Sequence, residues 1–163
     1  MSEPLKALLT RLGTRSDPLE QAKAAYKQQE LDGVYMGVAL LHAELSKAIR
    51  KKVGACLVTD SGVVIPGYNG TVRGADNSCE ILLESGELRT KDSTLHAELN
   101  AILKCSLEGI STKNSTLYVT LSPCLRCSAM IAQAGIKRVV YREGYRDRTG
   151  IDFLVKNGVA VFN

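Results

Sequence analysis

Two short motifs, each placed where a helix is predicted to begin, constrain the fold of this chain more than any other feature. The first is His96-Ala97-Glu98, and the second is Pro123-Cys124-Leu125-Arg126-Cys127. Ser122 is predicted as the N-cap of the second helix, with Pro123 as its first residue, because proline needs no hydrogen-bond partner there. The histidine and the two cysteines act as one set of ligands only if the fold brings the two helix starts together.

The donor set formed by these motifs indicates a catalytic zinc site. His96, Cys124 and Cys127 provide three protein ligands, whereas zinc prefers four, so one position remains for water. Zinc lowers the pKa of such a water towards roughly 7, which makes hydroxide available at neutral pH. We therefore predict that these three residues bind Zn²⁺.

The helix starts also suit the chemistry of the ligands and of a proton carrier. A helix N-terminus favours anionic thiolates, and the C-x-x-C spacing places both sulfurs on nearly the same side of the helix. Glu98 follows His96 by two positions, so it points away from the histidine direction. We predict that Glu98 lies beside the open metal position and transfers protons there.

The composition excludes several classes of protein. The chain has 163 residues and a formal charge of +4, fits one domain, and has no block of basic residues typical of a nucleic-acid partner. No apolar run approaches the roughly 18–20 residues that span a bilayer. We read no secretory signal and expect a cytoplasmic protein.

Because the five cysteines are odd in number, a disulfide framework is not expected. C-x-x-C alone would also fit a redox pair or a structural metal site.

Hydrophobic patterning predicts a mixed sheet with helices on both faces. Residues 1–33 are predicted as an N-terminal helical extension, including a helix to about Leu31, and residues 34–163 as the main domain. Ser93 or Thr94 is predicted as the N-cap of the His96 helix. The predicted helices of the main domain are Tyr35–Ile49, His96–Glu108, Pro123–Ala134 and Thr149–Asn157, and a helical turn is predicted within Glu80–Leu88. The predicted strands are Val53–Thr59, Val63–Tyr68, Thr116–Leu121, Lys137–Arg142 and Val159–Phe162, the first two joined by Asp60-Ser61-Gly62.

Several segments together resemble the deoxycytidylate (dCMP) deaminases, notably those of bacteriophages. They are HAELNAIL, LYVTLSPCLRC, KKVGACLV, GYNGTVRGADNSCE, AGIKRVVYREGYRDRTG and GVAVFN, which lie between Tyr35 and Asn163. H-x-E followed by P-C-x-x-C is also the signature of zinc nucleobase deaminases. The resemblance implies an α/β fold, the three-layer α/β/α cytidine-deaminase-like fold with a five-stranded mixed sheet.

The resemblance also implies an activity, namely zinc-dependent hydrolysis of dCMP to dUMP and ammonia, which supplies dUMP for thymidylate synthesis. In this reaction Glu98 takes a proton from water, delivers it to N3 and later protonates the leaving amine. The Ala97 N–H is expected to hold the pyrimidine O2, and the Ser122 carbonyl is expected near the exocyclic amine.

Further substrate contacts are implied at positions that also have plainer interpretations. Asn69 matches a family position near the sugar, although it also fits a turn after a strand. Tyr145 would stack on the pyrimidine or simply cap the core. Arg146, with Arg148, would neutralise the 5′-phosphate or form a solvated surface. Arg126, inside the metal motif, is another candidate for the phosphate.

Many family members respond to effectors, with dCTP activating and dTTP inhibiting through a magnesium-bound nucleotide. Gly70, Arg73 and Gly74 match the loop that binds this nucleotide in the family. Here Thr71-Val72 replaces the Ser/Thr-Pro that often follows GYNG, which puts the rigidity of the loop in question. The family further implies a homohexamer in the cytoplasm, or in the host cytoplasm if the protein is phage-encoded. Cys56, Cys79 and Cys105 are predicted to be buried.

Two other functions fit part of the pattern. A deaminase acting on a base in tRNA or single-stranded nucleic acid would share the zinc motifs, but the modest charge disfavours it. A non-catalytic zinc module would keep the fold for assembly or nucleotide sensing. Glu98 argues against such a module, because a structural site needs no acid there and usually has a fourth ligand.

Overall fold

A computed structural model describes residues 17–163, so the predicted N-terminal helical pattern before residue 17 lies outside the described part. The chain divides into two units, Met1–Leu31 and Asp32–Asn163. In the first unit the described residues are almost entirely helical. The assignment of residues 1–33 as an extension and of 34–163 as a separate domain stays a prediction.

The described elements follow one another in an alternating order. The helices are α1 (Pro18–Ala43), α2 (Ala97–Leu107), α3 (Leu125–Gln133) and α4 (Thr149–Lys156). The strands are β1 (Gly54–Val58), β2 (Val64–Tyr68), β3 (Glu80–Leu82), β4 (Leu88–Thr90), β5 (Thr116–Leu121), β6 (Arg138–Glu143) and β7 (Ala160–Phe162). Among residues 17–163, no helix combines the length and apolar character that crossing a membrane requires.

The main sheet has five strands in the order β2-β1-β5-β6-β7. The first three strands pair antiparallel, whereas β5, β6 and β7 pair parallel. The predicted mixed five-stranded sheet is therefore confirmed. The carboxyl ends of β2, β5 and β6 lie at the same edge as the start of β1, which is where open α/β sheets bind ligands.

Alternate residues of the central strands pack on opposite faces of the sheet. Leu57 and Leu117 belong to the larger core, which α2, α3 and α4 cover. Cys56 and Tyr118, their neighbours in sequence, point to the other face and pack against Ala39 of α1. This period of two confirms a three-layer α/β/α arrangement.

Two glycines let helices approach the sheet more closely than a side chain would allow. A Cβ on Gly54 would collide with the Ala39 carbonyl and lie 2.6 Å from the Ala43 nitrogen of α1. A Cβ on Gly67 would collide with the Ala97 carbonyl at the start of α2. The second contact fixes the depth of the helix that carries His96.

The structure corrects two predicted helical segments. The segment to Leu31 and residues 35–43 are helical as predicted, but the predicted break between two helices and the end at Ile49 are wrong, because α1 is continuous and ends at Ala43. Its glycines each cost about 1 kcal/mol relative to alanine, which other helix contacts can offset. The predicted helical turn in Glu80–Leu88 is also wrong. This segment forms the antiparallel pair β3–β4, whose turn contains Gly86 at φ 82°.

Candidate metal centre and active-site cavity

The three predicted zinc ligands lie together at the starts of α2 and α3. The Nδ1 atom of His96 is 3.4 Å from the Cys127 sulfur and 3.7 Å from the Cys124 sulfur. All three ligand atoms lie within 4.8 Å of one another. The strand–helix connections after β4 and β5 therefore bring the two motifs to one point.

Each ligand motif begins its helix later than the sequence predicts, so the predicted caps are wrong. The N-cap residues are His96 and Cys124 themselves. The Thr94 hydroxyl instead donates to the Cys79 carbonyl at 2.9 Å. The Ser122 hydroxyl accepts a hydrogen bond from the Tyr145 N–H at 2.7 Å. Both side chains that were predicted as helix caps instead form hydrogen bonds that hold loops around the site.

The donor set fits a zinc ion. Zinc lies about 2.3 Å from sulfur and about 2.0–2.1 Å from imidazole nitrogen, so a tetrahedral site places nitrogen and sulfur about 3.6 Å apart. The nitrogen–sulfur distances of 3.4 and 3.7 Å fall on either side of that value. The three donors also leave the fourth tetrahedral position for another ligand, as in catalytic zinc sites.

The protonation of the ligands also suits a cation. Hydrogen bonds with Cys127 and His96 lower the pKa of the Cys124 thiol to about 3, so this sulfur is a thiolate. The hydrogen bond with Cys124 raises the pKa of His96. The hydrogen bond with Cys124, followed by burial, raises the pKa of Cys127, so this thiol keeps its proton until a metal displaces it.

Glu98 lies in the first turn of α2 and is only 4% exposed. Burial raises its pKa, while its own backbone N–H and the charge of His96 act in the opposite direction. A carboxyl group in this position can take up a proton more readily than one in water. Such a group is suited to accept and donate protons near neutral pH.

The metal motif is supported from behind by α4. A Cβ on Gly150 would collide with the Pro123 carbonyl and lie 2.8 Å from the Ser128 hydroxyl oxygen. The Ser128 hydroxyl is fully buried and has no hydrogen-bond partner among residues 17–163. The backbone of α4 therefore sits directly on the loop that presents Cys124.

One cavity of about 590 Å³ joins the metal motifs to the sheet edge. Its volume lies within the roughly 300–1,000 Å³ typical of small-molecule sites. The residues lining it are Arg50, Lys51, Val53, Asn69, Glu80, Thr90, Thr94, His96, Ala97, Glu98, Leu121, Ser122, Cys124, Glu143, Gly144 and Tyr145. The cavity can therefore hold a small molecule next to both the donor set and Glu98.

The structure brings most of the predicted substrate residues to this cavity. Asn69, Ala97, Ser122 and Tyr145 line it. The side chain of Asn69 accepts from the Val53 N–H at 2.8 Å and donates to the Lys51 carbonyl at 2.9 Å, so it also fixes the loop before β1. Asn69 thus lies in the cavity lining directly after β2, next to the bridge between Gly70 and Leu95, and the structure places no turn at this residue.

The arginines that the sequence pointed to for a phosphate do not line the cavity. Arg126, Arg146 and Arg148 are exposed and are absent from its lining. Arg50 and Lys51 line it instead, although their run of basic residues resembles a solvated helix end in the sequence. Their place depends on contacts with Glu80 and Asn69, which no local pattern reveals.

Gly70, Arg73 and Gly74, the residues that match the effector loop, line a second cavity of about 280 Å³. Lys47 and Lys104 also line it, so it carries positive charge. Cys79 lies at its wall and is buried, as are Cys56 and Cys105. The prediction that these three cysteines are buried is confirmed.

Several known proteins are similar to this chain in sequence. ComE operon protein 2 of Bacillus subtilis is 40% identical over 116 residues, which cover 69% of this chain and 59% of that protein. The deoxycytidylate deaminase of Enterobacteria phage T4 is 33% identical over 165 residues, covering 77% of this chain and 86% of the phage protein. The chain thus spans 59% of the length of the first relative and most of the second.

A solved structure adds similarity at the level of the fold. The dCMP deaminase of cyanophage S-TIM5, crystallised in complex with dCMP and dUMP, superposes with a TM-score of 0.74 at 45% identity. The match covers 81% of this chain and 95% of the cyanophage chain. The family model for the cytidine and deoxycytidylate deaminase zinc-binding region matches residues 29–143, which include both ligand motifs. The chain therefore belongs to the cytidine and deoxycytidylate deaminase family.

Proposed function

We propose that this chain catalyses the hydrolytic deamination of dCMP to dUMP and ammonia. The observation that carries the proposal is the placement of His96, Cys124 and the buried Glu98 in the lining of one cavity, with the Cys127 sulfur beside the other two ligand atoms. The cyanophage relative, solved with dCMP and dUMP, supports the choice of nucleotide. The product dUMP would then serve thymidylate synthesis.

The metal in this proposal is zinc, held by the His96 Nδ1 atom and the two cysteine sulfurs. When bound, zinc supplies Lewis acidity and lowers the pKa of a water towards roughly 7. The chain supplies the thiolate of Cys124, which is already ionised in the hydrogen-bonded cluster. Cys127 loses its proton on metal binding, so zinc binding should release protons.

Glu98 carries the protons of the reaction. Its carboxylate takes a proton from the attacking water and passes it to N3 of the cytosine ring. The carboxylate then takes the second proton from the hydroxyl group now on C4 and delivers it to the exocyclic amine. The C4–N bond breaks, ammonia leaves, and the water oxygen remains as the C4 carbonyl of dUMP. The buried position of Glu98, which raises its pKa, supports this exchange because the protonated form is accessible.

The backbone around the site would position the pyrimidine. Ala97 is the first residue of α2, so its N–H has no partner within the helix and is available to donate to O2. Ser122 is held by its N–H, which donates to the Glu143 carbonyl at 2.8 Å, and by the hydroxyl contact with Tyr145. This anchoring supports a Ser122 carbonyl that accepts from the exocyclic amine.

Tyr145 and Asn69 complete the proposed substrate contacts. The Tyr145 side chain is 46% exposed and lines the cavity, so its ring can stack on a base that enters. Asn69 lies at the end of β2 in the same lining and would contact the sugar. Replacement of Tyr145 by leucine should weaken dUMP binding, whereas phenylalanine should retain it.

We also propose that the second cavity takes the effectors dCTP and dTTP. The glycines of its loop, with Gly74 at φ 85°, permit a backbone course that other residues rarely adopt. Arg73, Lys47 and Lys104 supply positive charge for phosphates, and Mg²⁺ would accompany the nucleotide. Titration of dCTP with and without Mg²⁺ tests this, with Arg73→Gln expected to remove any activation while leaving basal turnover.

The proposed assembly is a homohexamer, and the proposed location is the cytoplasm. Exposed apolar side chains on α2, Leu103 at 41% and Leu107 at 79%, support burial of this helix between copies. Sedimentation or light scattering gives the oligomer size directly. A monomer at all concentrations would contradict the hexamer.

One substrate panel tests the proposed function. The zinc-loaded protein is incubated with dCMP, CMP, dCTP and deoxycytidine, and ammonia release is measured. We expect the highest kcat/KM with dCMP. A protein that binds zinc but releases no ammonia from any of them would favour a non-catalytic zinc module.

The same panel separates the nucleic-acid alternative. Single-stranded DNA and tRNA are added as substrates at increasing salt concentrations. A protein that neutralises several phosphates of a strand loses affinity steeply as salt increases. Turnover of the polymers with that salt dependence, and none of dCMP, would overturn the proposed substrate.

A further inference from the structure

We propose that Arg50 and Lys51 bind the 5′-phosphate of the substrate and that Glu143 competes with this phosphate for Lys51. This inference rests on the proposed function, because it assumes a nucleotide in the main cavity. It assigns recognition of the phosphate to the loop before β1, away from the two metal motifs and from Arg126, Arg146 and Arg148.

Both side chains end at the wall of the cavity. The Arg50 guanidinium donates to the Thr90 hydroxyl at 3.0 Å, and the Lys51 ammonium donates to the Glu143 carboxylate at 2.6 Å. Thr90 and Glu143 themselves line the cavity. Among the lysines and arginines of residues 17–163, only Arg50 and Lys51 line it, so they are the permanent positive charges available to a ligand there.

The loop that carries these two cations is held from both sides. The backbone N–H groups of Ile49 and Arg50 donate to one carboxylate oxygen of Glu80 at 3.1 and 3.3 Å. Glu80 is only 8% exposed, so this anchor is protected from water. The Asn69 side chain binds the Lys51 carbonyl on the other side. Because the loop is fixed in this way, a ligand need not order it.

Arg50 has the shape that phosphate recognition needs. A guanidinium carries five N–H donors in a planar fork and can contact two phosphate oxygens at once. The hydrogen bond to Thr90 orients the fork and uses one of these donors. The remaining fork can then meet a phosphate that enters the cavity.

Lys51 is held by an ion pair that a phosphate can replace. The side chains of Lys51 and Glu143 are 52% and 55% exposed, and an exposed pair of this kind adds little to stability. The hydrogen bond from Lys51 lowers the pKa of Glu143, which therefore stays ionised at neutral pH. Glu143 thus opposes a bound phosphate both by holding Lys51 and by its own charge, and the two neighbours should have opposite effects when neutralised.

Steady-state kinetics of the zinc-loaded enzyme with dCMP and deoxycytidine test the subsite. R50Q and K51Q should each lower kcat/KM for dCMP by roughly tenfold to a hundredfold, mainly through KM. Deoxycytidine lacks the phosphate, so its kcat/KM should change by less than about twofold. E143Q should lower the KM for dCMP.

A matched control is available next to the proposed site. Lys52 follows Lys51 in sequence but pairs with Glu44 at 3.5 Å and does not line the cavity. K52Q should leave both kinetic constants for dCMP unchanged. R50K, which keeps the charge without the fork, should fall between the wild type and R50Q. Thermal melting of each variant checks that it is folded.

The outcomes separate this inference from the proposed function. If the wild type prefers dCMP and both R50Q and K51Q keep that preference, the phosphate subsite is overturned. Loss of the preference in R126Q or R146Q instead would overturn it as well. If the wild type turns over no cytosine compound, dUMP and deoxyuridine are titrated calorimetrically. Weaker binding of dUMP alone in R50Q would then keep the subsite while rejecting the deaminase activity, and equal binding would reject both.

Discussion

The Cα atom of Gly150, in the first turn of α4, packs directly against the carbonyl group of Pro123, the residue before the metal ligand Cys124. A Cβ at this position would lie 2.9 Å from the Cys124 carbonyl carbon and would overlap the Pro123 oxygen. Side-chain atoms do not approach backbone so closely without displacing it. The position of the ligand Cys124 therefore depends on α4, which follows it in sequence only after α3 and β6.

Gly150→Ala should weaken zinc binding. The added methyl group must push α4 and the Cys124 loop apart, which misplaces a ligand, and supporting contacts of this kind are worth roughly 10–100-fold in metal affinity. A chelator competition titration measures the change. Gly37→Ala is the control, because a Cβ there meets no atom of the described residues 17–163 within 4 Å and should stabilise α1 by about 0.5–1 kcal/mol. Equal zinc affinities in the two variants would show that the contact is unimportant.

Glu98→Gln and Cys124→Ser should distinguish the loss of proton transfer from the loss of metal binding. Glutamine fills the same space without carrying a proton, so ammonia release from dCMP should fall by about 10²–10⁴-fold while zinc remains bound. Serine at position 124 lacks the thiolate and should lose the metal together with activity. Zinc content by atomic emission and turnover are measured on the same samples. Near-normal turnover in Glu98→Gln would rule out the proposed proton transfer.

The sequence determines the central part of the fold because the patterns there are strong and local. The predicted strand Thr116–Leu121 matches β5 residue for residue. Its β-prone apolar run lies between the polar residues Ser115 and Ser122, and four successive residues of it are buried. The sheet type follows from the hairpin and the strand–helix alternation. The ligand motifs likewise stand out, because few other roles explain a histidine and paired cysteines at helix starts.

The misses arise where distant contacts decide the local structure. Gly33 and Gly37 weaken the helical pattern, yet α1 runs through both. The main cavity takes its positive charge from Arg50 and Lys51. The backbone of Arg50 is held by Glu80 and that of Lys51 by Asn69, both far along the chain. The sequence shows a basic run and a lone acid, but nothing in their spacing indicates that they meet.

Tyr118→Phe should reduce the loss of stability at alkaline pH. The Tyr118 hydroxyl is buried and donates to the Asp32 carboxylate at 2.8 Å, which in turn pairs with Arg138. Burial, and then the hydrogen bond and charge of Asp32, raise the pKa of Tyr118 above its ordinary value. The folded state therefore holds this proton more tightly than the unfolded state. The protonated Tyr118 hydroxyl therefore adds its full contribution to the free energy of unfolding below about pH 10, the pKa in the unfolded state. This contribution is lost as the pH rises towards the higher pKa of the folded state.

Urea denaturation at pH 7 and at several pH values above 10 measures this effect. At pH 7 the variant should be less stable by about 1 kcal/mol, the usual value of one hydrogen bond. Above pH 10 the difference in the free energy of unfolding between the two proteins should shrink. Only the wild type has a buried phenol that stays protonated when folded but ionises when unfolded, so only the wild type is destabilised by this group. Tyr26→Phe is the control, since the Tyr26 side chain is 65% exposed. Parallel curves for wild type and Tyr118→Phe would contradict the shifted pKa.

Asn69→Ala should disturb the substrate cavity without touching the metal. The side chain of Asn69 joins the Lys51 carbonyl to the Val53 N–H, and its loss leaves two part-buried backbone groups without this partner. We expect a loss of about 1–3 kcal/mol in the free energy of unfolding. Because the loop also carries Arg50, the KM for dCMP should rise more than kcat falls, and the zinc content should stay the same.

Asn100→Ala is the control variant, since Asn100 donates to the Tyr68 carbonyl at 2.8 Å but lines the second cavity. A similar loss of stability with an unchanged KM is expected there, so a raised KM in both variants would assign the effect to general unfolding rather than to the loop.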